Sequence, residues 1–362
     1  VRRTAIARVA ALLLGVVLGL AGAELMVRLA VPANQFWWVA PVYRAVDTPE
    51  LHYTLDAGLA ETVYGVDLKT NSLGFRGPEW QTPKLPGRFR IALFGDSHAF
   101  GLGVAFADTA GEVAARTLRH CSSRDVEVLN FAINGFNSVQ ELAVLRTYPW
   151  VFEPDVIVLQ VSGNDHDPAA YADSYGYLVG PPPPDDGADP FHRAVRRTLH
   201  RILLRSRLYL WGRRLFAWRK QGSQTTPVPD GSAAADPSWM AAIDDLPPST
   251  ELDDAVGRPV RAMIAEAKAR GTPVVLMSYA SPPDYRRLLR NISHEEGLPW
   301  LELLKLLPEA HSYPEVLARF SLGWDPHLNA VAHARWGRAL ARVIRERGYL
   351  PGTGETVAGC EE

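Results

Sequence analysis

Ile91-Ala92-Leu93-Phe94-Gly95-Asp96-Ser97-His98 runs four apolar residues into a glycine-led turn, which reads as a buried strand with a serine hydroxyl at its tip. A serine in such a turn, taken alone, commonly bonds nearby backbone, so its meaning depends on what can join it. From residue 90 onward short apolar runs alternate with helical patterns, the signature of a parallel sheet flanked by helices. Ile91 to Phe94, Val126 to Phe131, Val156 to Val161 and Val274 to Ser278 predict four buried strands, and Trp300 to Leu303 is a candidate fifth. Thr109-Ala110-Gly111-Glu112 and Ser138-Val139-Gln140-Glu141 match the capping box at two helix starts. The last helix follows Asn329 as its cap and ends at Gly348. It sets Arg335, Arg338, Arg342 and Arg345 on one stripe, opposite Ala334, Gly337, Leu340, Ala341 and Ile344.

The 362 residues, 47% hydrophobic and 22% charged, can bury a full core. A formal net charge of -2 gives no basic field for nucleic acid. The two cysteines, Cys121 and Cys360, make neither a disulfide framework nor a metal quartet. Arg2, Arg3 and Arg8 precede the apolar run Val9 to Ala23, an export signal that keeps its basic end in the cytoplasm. The apolar character continues past Glu24 to Val31, which favours a retained membrane helix over cleavage after Ala21-Gly22-Ala23. Either outcome sends the bulk of the chain out of the cytoplasm, and Phe36-Trp37-Trp38 would then sit near the outer interface or in packed protein.

The organisation expected is a signal-anchor or signal peptide over 1–31, an extension over 32–87, a catalytic domain over 88–348 and a tail over 349–362. An insertion at about 167–250 opens with Pro181-Pro182-Pro183-Pro184. Its Arg193 to Lys220 stretch reads as basic amphipathic helix, solvated over the fold's edge or lying on the membrane.

Three further segments stand in an order that suits one site with Ser97. Asn130 to Ser138 leaves the second strand, and Gly135 can present its backbone amide unobstructed. Ser162-Gly163-Asn164-Asp165 ends the third strand and offers the Asn164 carboxamide at the same sheet edge. Trp324-Asp325-Pro326-His327-Leu328-Asn329 precedes the last helix. Together these supply a hydroxyl nucleophile, an imidazole base, a carboxylate to orient it and donors for an oxyanion. Residues two apart diverge on a helix but share a side in an extended segment, and Pro326 biases Asp325 away from helix.

This series, Gly-Asp-Ser, then Gly135, then Gly-Asn-Asp, then Asp-x-His, resembles the SGNH (GDSL-type) hydrolase superfamily over roughly residues 88 to 348. The resemblance implies a flavodoxin-like sheet, Ser97 as nucleophile, and an oxyanion hole of the Ser97 and Gly135 amides with the Asn164 side chain. It also implies His327 as base, Asp325 as its partner, and an esterase without cofactor or metal. The family commonly spaces acid and base as Asp-x-x-His; Asp325-Pro326-His327 is similar instead to the branch related to polysaccharide O-acetyltransferases. Asn71-Ser72-Leu73-Gly74-Phe75-Arg76-Gly77 is similar to a segment of membrane-anchored bacterial members.

The reaction expected is cleavage of an acyl ester, acetyl among the candidates, of an extracytoplasmic glycan or lipid. Transfer of the acyl group to a polysaccharide, or a non-catalytic glycan-binding role on the same fold, are the alternatives. His98 is expected to be a hydrogen-bonded structural residue and Asp96 to hold the nucleophile turn. His333 is expected to be packed. His166 and Asp167 match no metal arrangement. Gly95-Asp96-Ser97-His98-Ala99 lacks the last glycine of an α/β-hydrolase elbow, and Gly101-Leu102-Gly103 lacks the rest of a dinucleotide fingerprint.

Overall fold

A computed structural model describes residues 2–31, 40–48, 50–122, 124–172, 176, 178–179, 195, 199, 202–203, 206–212, 249–279, 283–310, 313–323 and 325–351. Phe36-Trp37-Trp38, Pro181 to Pro184, most of Arg193 to Lys220, and Trp324 lie outside the described residues. The chain divides into two compact units, residues 1–39 with 182–234 and residues 40–181 with 235–362.

In the smaller unit, α1 (Arg2–Ala30) contains a 24-residue stretch, Ala7–Ala30, that is long and apolar enough to cross a membrane. Glu24 is its one carboxylate. It pairs with Arg28 one turn on, and accepts hydrogen bonds from Ser206 Oγ at 2.7 Å, Arg207 N at 3.0 Å and Leu208 N at 2.9 Å.

The larger unit is built on five parallel strands: β5 (Phe89–Phe94), β6 (Val126–Asn130), β7 (Val156–Val161), β10 (Val274–Ser278) and β11 (Trp300–Glu302). Each expected strand is present, and β7 and β10 match the apolar runs residue for residue. All six residues of β5 and of β7 are buried, as strands covered on both faces must be. The spatial order is β11-β10-β7-β5-β6, the flavodoxin-like arrangement. The order reverses between β5 and β7, so the segments leaving those two strands open a crevice at the sheet's carboxyl edge. Four short strands pair outside this sheet: β1 (Tyr43–Ala45) with β2 (Tyr53–Leu55), β3 (Ala60–Val63) with β4 (Val66–Lys69). A further ribbon joins β8 (Tyr171–Ala172) and β9 (Leu178–Val179).

Helices α2 (Ser97–Phe100), α3 (Ala110–Cys121), α4 (Ser138–Thr147), α5 (Arg258–Ala269), α6 (Pro283–Glu296), α7 (Tyr313–Phe320) and α8 (Ala330–Glu346) complete the unit. Helix α3 packs on α8 and α4 on α5; right-handed crossovers from a sheet whose order reverses put these pairs on opposite faces. The α8 reading holds: Asn329 accepts from the Val331 and Ala332 amides, and Gly348 beyond the helix is left-handed at φ 67°. Its apolar face buries Trp336, Leu340, Ala341 and Ile344.

Two capping expectations are corrected. Thr109 precedes α3 without capping it, because its hydroxyl donates to the Phe106 carbonyl at 2.8 Å. The box at α4 lies one residue earlier than expected, with Asn137 accepting from Gln140 N and the Gln140 side chain returning to Asn137 N. Ser138 is thereby released to bond elsewhere. Cys121 is disulfide-bonded, which corrects the expectation that the two cysteines make no disulfide framework. The sequence holds one other cysteine, Cys360, outside the described residues.

Candidate active site

Strand β5 ends at Phe94, and Gly95 carries the chain into α2. A Cβ on Gly95 would stand 2.5 Å from Gln160 Oε1 and 2.7 Å from the Ala99 Cβ, so the approach of β7 to the turn requires glycine. Asp96 caps α2, accepting from His98 N at 2.9 Å, and also accepts from Ser162 Oγ at 3.2 Å. Gln160, the one polar residue of β7, accepts from Ala99 N at 3.1 Å and donates to Ser162 Oγ. These bonds fix the turn that presents Ser97, which is buried at 7% exposure. Asp96 thus holds the turn as its position suggested.

The segment before α8 folds back on itself. Ser321 pairs with Leu328, Leu322 N donates to His327 O at 2.9 Å, and Asn329 N donates to Phe320 O at 2.8 Å. Within this loop Asp325 Oδ1 accepts from His327 N at 2.9 Å and closely contacts His327 Nδ1. The two side chains meet across a bend at Pro326 and not along the extended segment expected. His327 Nε2 lies 2.7 Å from Ser97 Oγ. With Nδ1–H directed at the carboxylate, Nε2 carries the lone pair that faces the serine hydroxyl.

Gly135 follows Asn134 in a turn closed by Phe136 N donating to Ile133 O at 3.2 Å, and its φ is +75°. Among the described residues, the backbone amides of Ser97 and Gly135 donate to no protein acceptor. Asn164 O accepts from Asp167 N at 2.9 Å, and the Asn164 side chain favours the charged form of Asp96, the residue before Ser97. The segments that leave β5, β6 and β7 therefore meet at the crevice with the loop before α8.

His98 departs from the hydrogen bonding expected of it at one ring nitrogen. Its ring contacts those of Tyr279, with centroids 4.2 Å apart, and His327 at 4.8 Å. Its Nδ1 is buried without a hydrogen-bond partner. Burial, with the neighbouring His327 and His333, pushes its pKa well below the usual imidazole range, so the ring stays neutral. His333 is packed as expected and accepts from Ala110 N at 3.2 Å. His166 bonds the Tyr285 hydroxyl through Nδ1 at 2.6 Å.

Beneath the turn lies a carboxyl cluster that the sequence did not reveal. Asp165 accepts from Ser138 Oγ at 3.0 Å and Ser162 N at 3.2 Å. Glu141, read from sequence as a capping residue, is instead 1% exposed with neither carboxyl oxygen hydrogen-bonded. Burial pushes Glu141 well above the carboxylate range, and the charges of Asp165 and Asp96 add to it. Asp165 is raised for the same reasons, burial first and then Asp96. Burial raises Asp96 too, against the opposing pull of the His98 amide and of His327. The signal available in sequence was Gln160, a polar residue inside an otherwise apolar strand.

No family model and no curated protein matches the chain. Among solved structures it is similar to TesA, at 15% identity and a TM-score of 0.39 over 71% of this chain and 98% of that one. The lipase/acylhydrolase from Enterococcus faecalis aligns at 13% identity and a TM-score of 0.39, covering 72% and 96%. A mutant of Axe2, an acetyl-xylooligosaccharide esterase from Geobacillus Stearmophilus, aligns at 13% identity and 0.39, covering 71% and 94%.

Proposed function

We propose that the protein is a serine-dependent ester hydrolase in which Ser97 is the nucleophile, His327 the general base and Asp325 the group that orients it. The observation that carries this reading is the 2.7 Å approach of His327 Nε2 to Ser97 Oγ, with Asp325 on the other imidazole nitrogen. In the reaction, His327 takes the proton as Ser97 Oγ bonds to the ester carbonyl carbon. The carbonyl oxygen becomes an oxyanion, received by the Ser97 and Gly135 amides and the Asn164 carboxamide. His327 then gives its proton to the departing alkoxide, leaving an acyl-serine and a free alcohol. Water attacks the acyl-serine by the same route and releases the acid. Asp325 steadies the imidazolium at each step without taking its proton.

The proposed substrate class rests on the location expected for the chain. The basic end and apolar length of α1 suit an anchor that holds the larger unit outside the cytoplasm. The disulfide at Cys121 suits an oxidising compartment. An acyl ester of an envelope glycan or lipid is the substrate this supports, with water as acceptor. The Asp325-Pro326-His327 spacing favours a second reading, transfer of the acyl group to a polysaccharide hydroxyl.

Purified protein given p-nitrophenyl acetate, with and without acceptor oligosaccharide, tests both. Hydrolysis lost in Ser97→Ala supports the esterase; acetylated sugar formed at the expense of acetate supports transfer. Turnover unchanged by Ser97→Ala would remove both. Recovery of the protein in a carbonate-washed membrane fraction supports the anchor, and recovery in the soluble fraction would overturn it.

A further inference from the structure

We propose that Tyr53, in the β1–β2 ribbon outside the main sheet, is a positioning residue whose hydroxyl locks the Gly135 amide toward the oxyanion. The proposal rests on the esterase reading above and adds a residue to its machinery. Tyr53 is fully buried, and its hydroxyl donates to the Asn134 carbonyl at 2.8 Å. That carbonyl and the Gly135 N–H belong to one planar trans peptide, so they point in opposite directions. A bond that fixes the carbonyl on one side therefore aims the amide at the other, and polarises it in the same sense.

The turn makes this bond decisive. Ile133 O accepts from Phe136 N, Asn134 and Gly135 are the central residues, and Gly135 has φ +75° while Asn134 is not among the residues with positive φ. This is a type II turn. Type I closes with the same hydrogen bond but has the central peptide rotated by about half a turn. In that alternative the Asn134 carbonyl would replace the Gly135 amide in the crevice and face the oxyanion with a negative dipole. Glycine at the third position permits type II but does not exclude type I, so the sequence of the turn leaves its peptide unfixed.

The surroundings of Tyr53 select one state. Its ring meets Phe136 edge-on with centroids 5.2 Å apart, and Tyr43 at 5.7 Å. The Asn134 side chain donates to the Tyr43 hydroxyl at 3.1 Å, which lies 2.7 Å from that of Tyr64. Burial, then the nearby Tyr43 and Asp96, hold the Tyr53 phenol well above its ordinary pKa, so it remains a donor. A flipped peptide would leave this buried hydroxyl facing an N–H, with no acceptor in its place.

The test is Tyr53→Phe, which keeps the ring and removes the hydroxyl, with Thr54→Val as a control that removes the next buried hydroxyl of the same strand, one with no hydrogen-bond partner among the described residues. Against p-nitrophenyl acetate, Tyr53→Phe is expected to lower kcat about tenfold with KM within about twofold, since a support is worth less than the ~10²-fold of a whole donor. Affinity for a trifluoromethyl ketone, which forms a tetrahedral adduct, should fall in the same proportion as kcat, while inhibition by product acid stays constant. Thr54→Val should leave all three within about twofold. Should Tyr53→Phe fail to fold, 3-fluorotyrosine at position 53 retains the shape and strengthens the donor, and kcat is expected to rise. Unchanged kcat and ketone affinity in a reactive protein, or equal losses in both variants, would overturn the role of Tyr53 alone. A wild type that neither hydrolyses the ester nor binds the ketone would instead remove the esterase reading.

Discussion

The imidazoles of His98 and His327 lie tilted at 33° to each other with centroids 4.8 Å apart, and the His98 ring is held neutral by burial and by its neighbours. In the proposed reaction His327 becomes cationic when it takes the Ser97 proton, so a second charge on the neighbouring ring would oppose it. His98→Phe, which preserves a flat uncharged ring, is expected to keep kcat within about threefold. His98→Lys places a cation against the imidazolium and should lower kcat at least ~10-fold. Equal activity in the two variants, measured with p-nitrophenyl acetate at matched folding, would show that charge at this position is immaterial.

The buried carboxyls predict a pH dependence of stability. Folding raises the pKa of Glu141 and Asp165 above their unfolded values, so the folded state binds more protons than the unfolded one. Their contribution is full below the ordinary carboxylate range and is lost as pH rises through the raised values. Glu141→Gln supplies a neutral group of the same shape. Its urea midpoint is expected to exceed that of the wild type more at pH 8 than at pH 5. A difference that is constant across this range would mean that Glu141 does not change its charge on folding.

Arg76 ties the extension to the loop that follows Ser97. Its guanidinium is 2% exposed and donates to the carbonyls of Phe100 at 2.9 Å, Gly101 at 2.7 Å and Val104 at 2.7 Å, immediately after α2. Burial brings its pKa down to about 10, still charged at neutral pH. Arg76→Met removes three charge-assisted bonds and leaves their acceptors buried, a loss of about 3 kcal/mol or more. Chemical unfolding reads the loss directly, and a change below about 1 kcal/mol would mean that water replaces the guanidinium.

Gly95→Ala tests the tight approach of β7 to the turn. The added methyl would meet Gln160 Oε1 at 2.5 Å and Ala99 Cβ at 2.7 Å. Overpacking of this kind costs about 1–3 kcal/mol, and here the displaced Gln160 also releases Ser162 and Ala99 N. The variant should unfold earlier and lose activity together; wild-type stability with wild-type turnover would contradict the contact.

The sheet was legible because its strands are short apolar runs of one kind: Val156 to Val161 and Val274 to Ser278 need no partner to be recognised. The convergence of the segments that carry Ser97, Gly135, Asn164, Asp325 and His327 was legible because each stands at the end of such a run or before a helix, where parallel topology brings loops to one edge. What the sequence withheld depends on contacts between distant residues. Tyr53 reaches Asn134 across 81 positions, from a strand of three residues that leaves no periodic trace. Thr109 and Ser138 carried the pattern of helix caps, yet their hydroxyls found better acceptors in Phe106 and Asp165. Glu141 followed a pattern that local spacing could not distinguish from a solvated cap.

The most direct measurement of the central claim is the intact mass of protein treated with a fluorophosphonate, for the wild type and for His327→Ala. If Ser97 is activated by His327, the wild type gains one phosphonyl group mapped to Ser97, and His327→Ala gains it at least ~10²-fold more slowly. An unlabelled wild type, or equal labelling rates in the two proteins, would contradict the account.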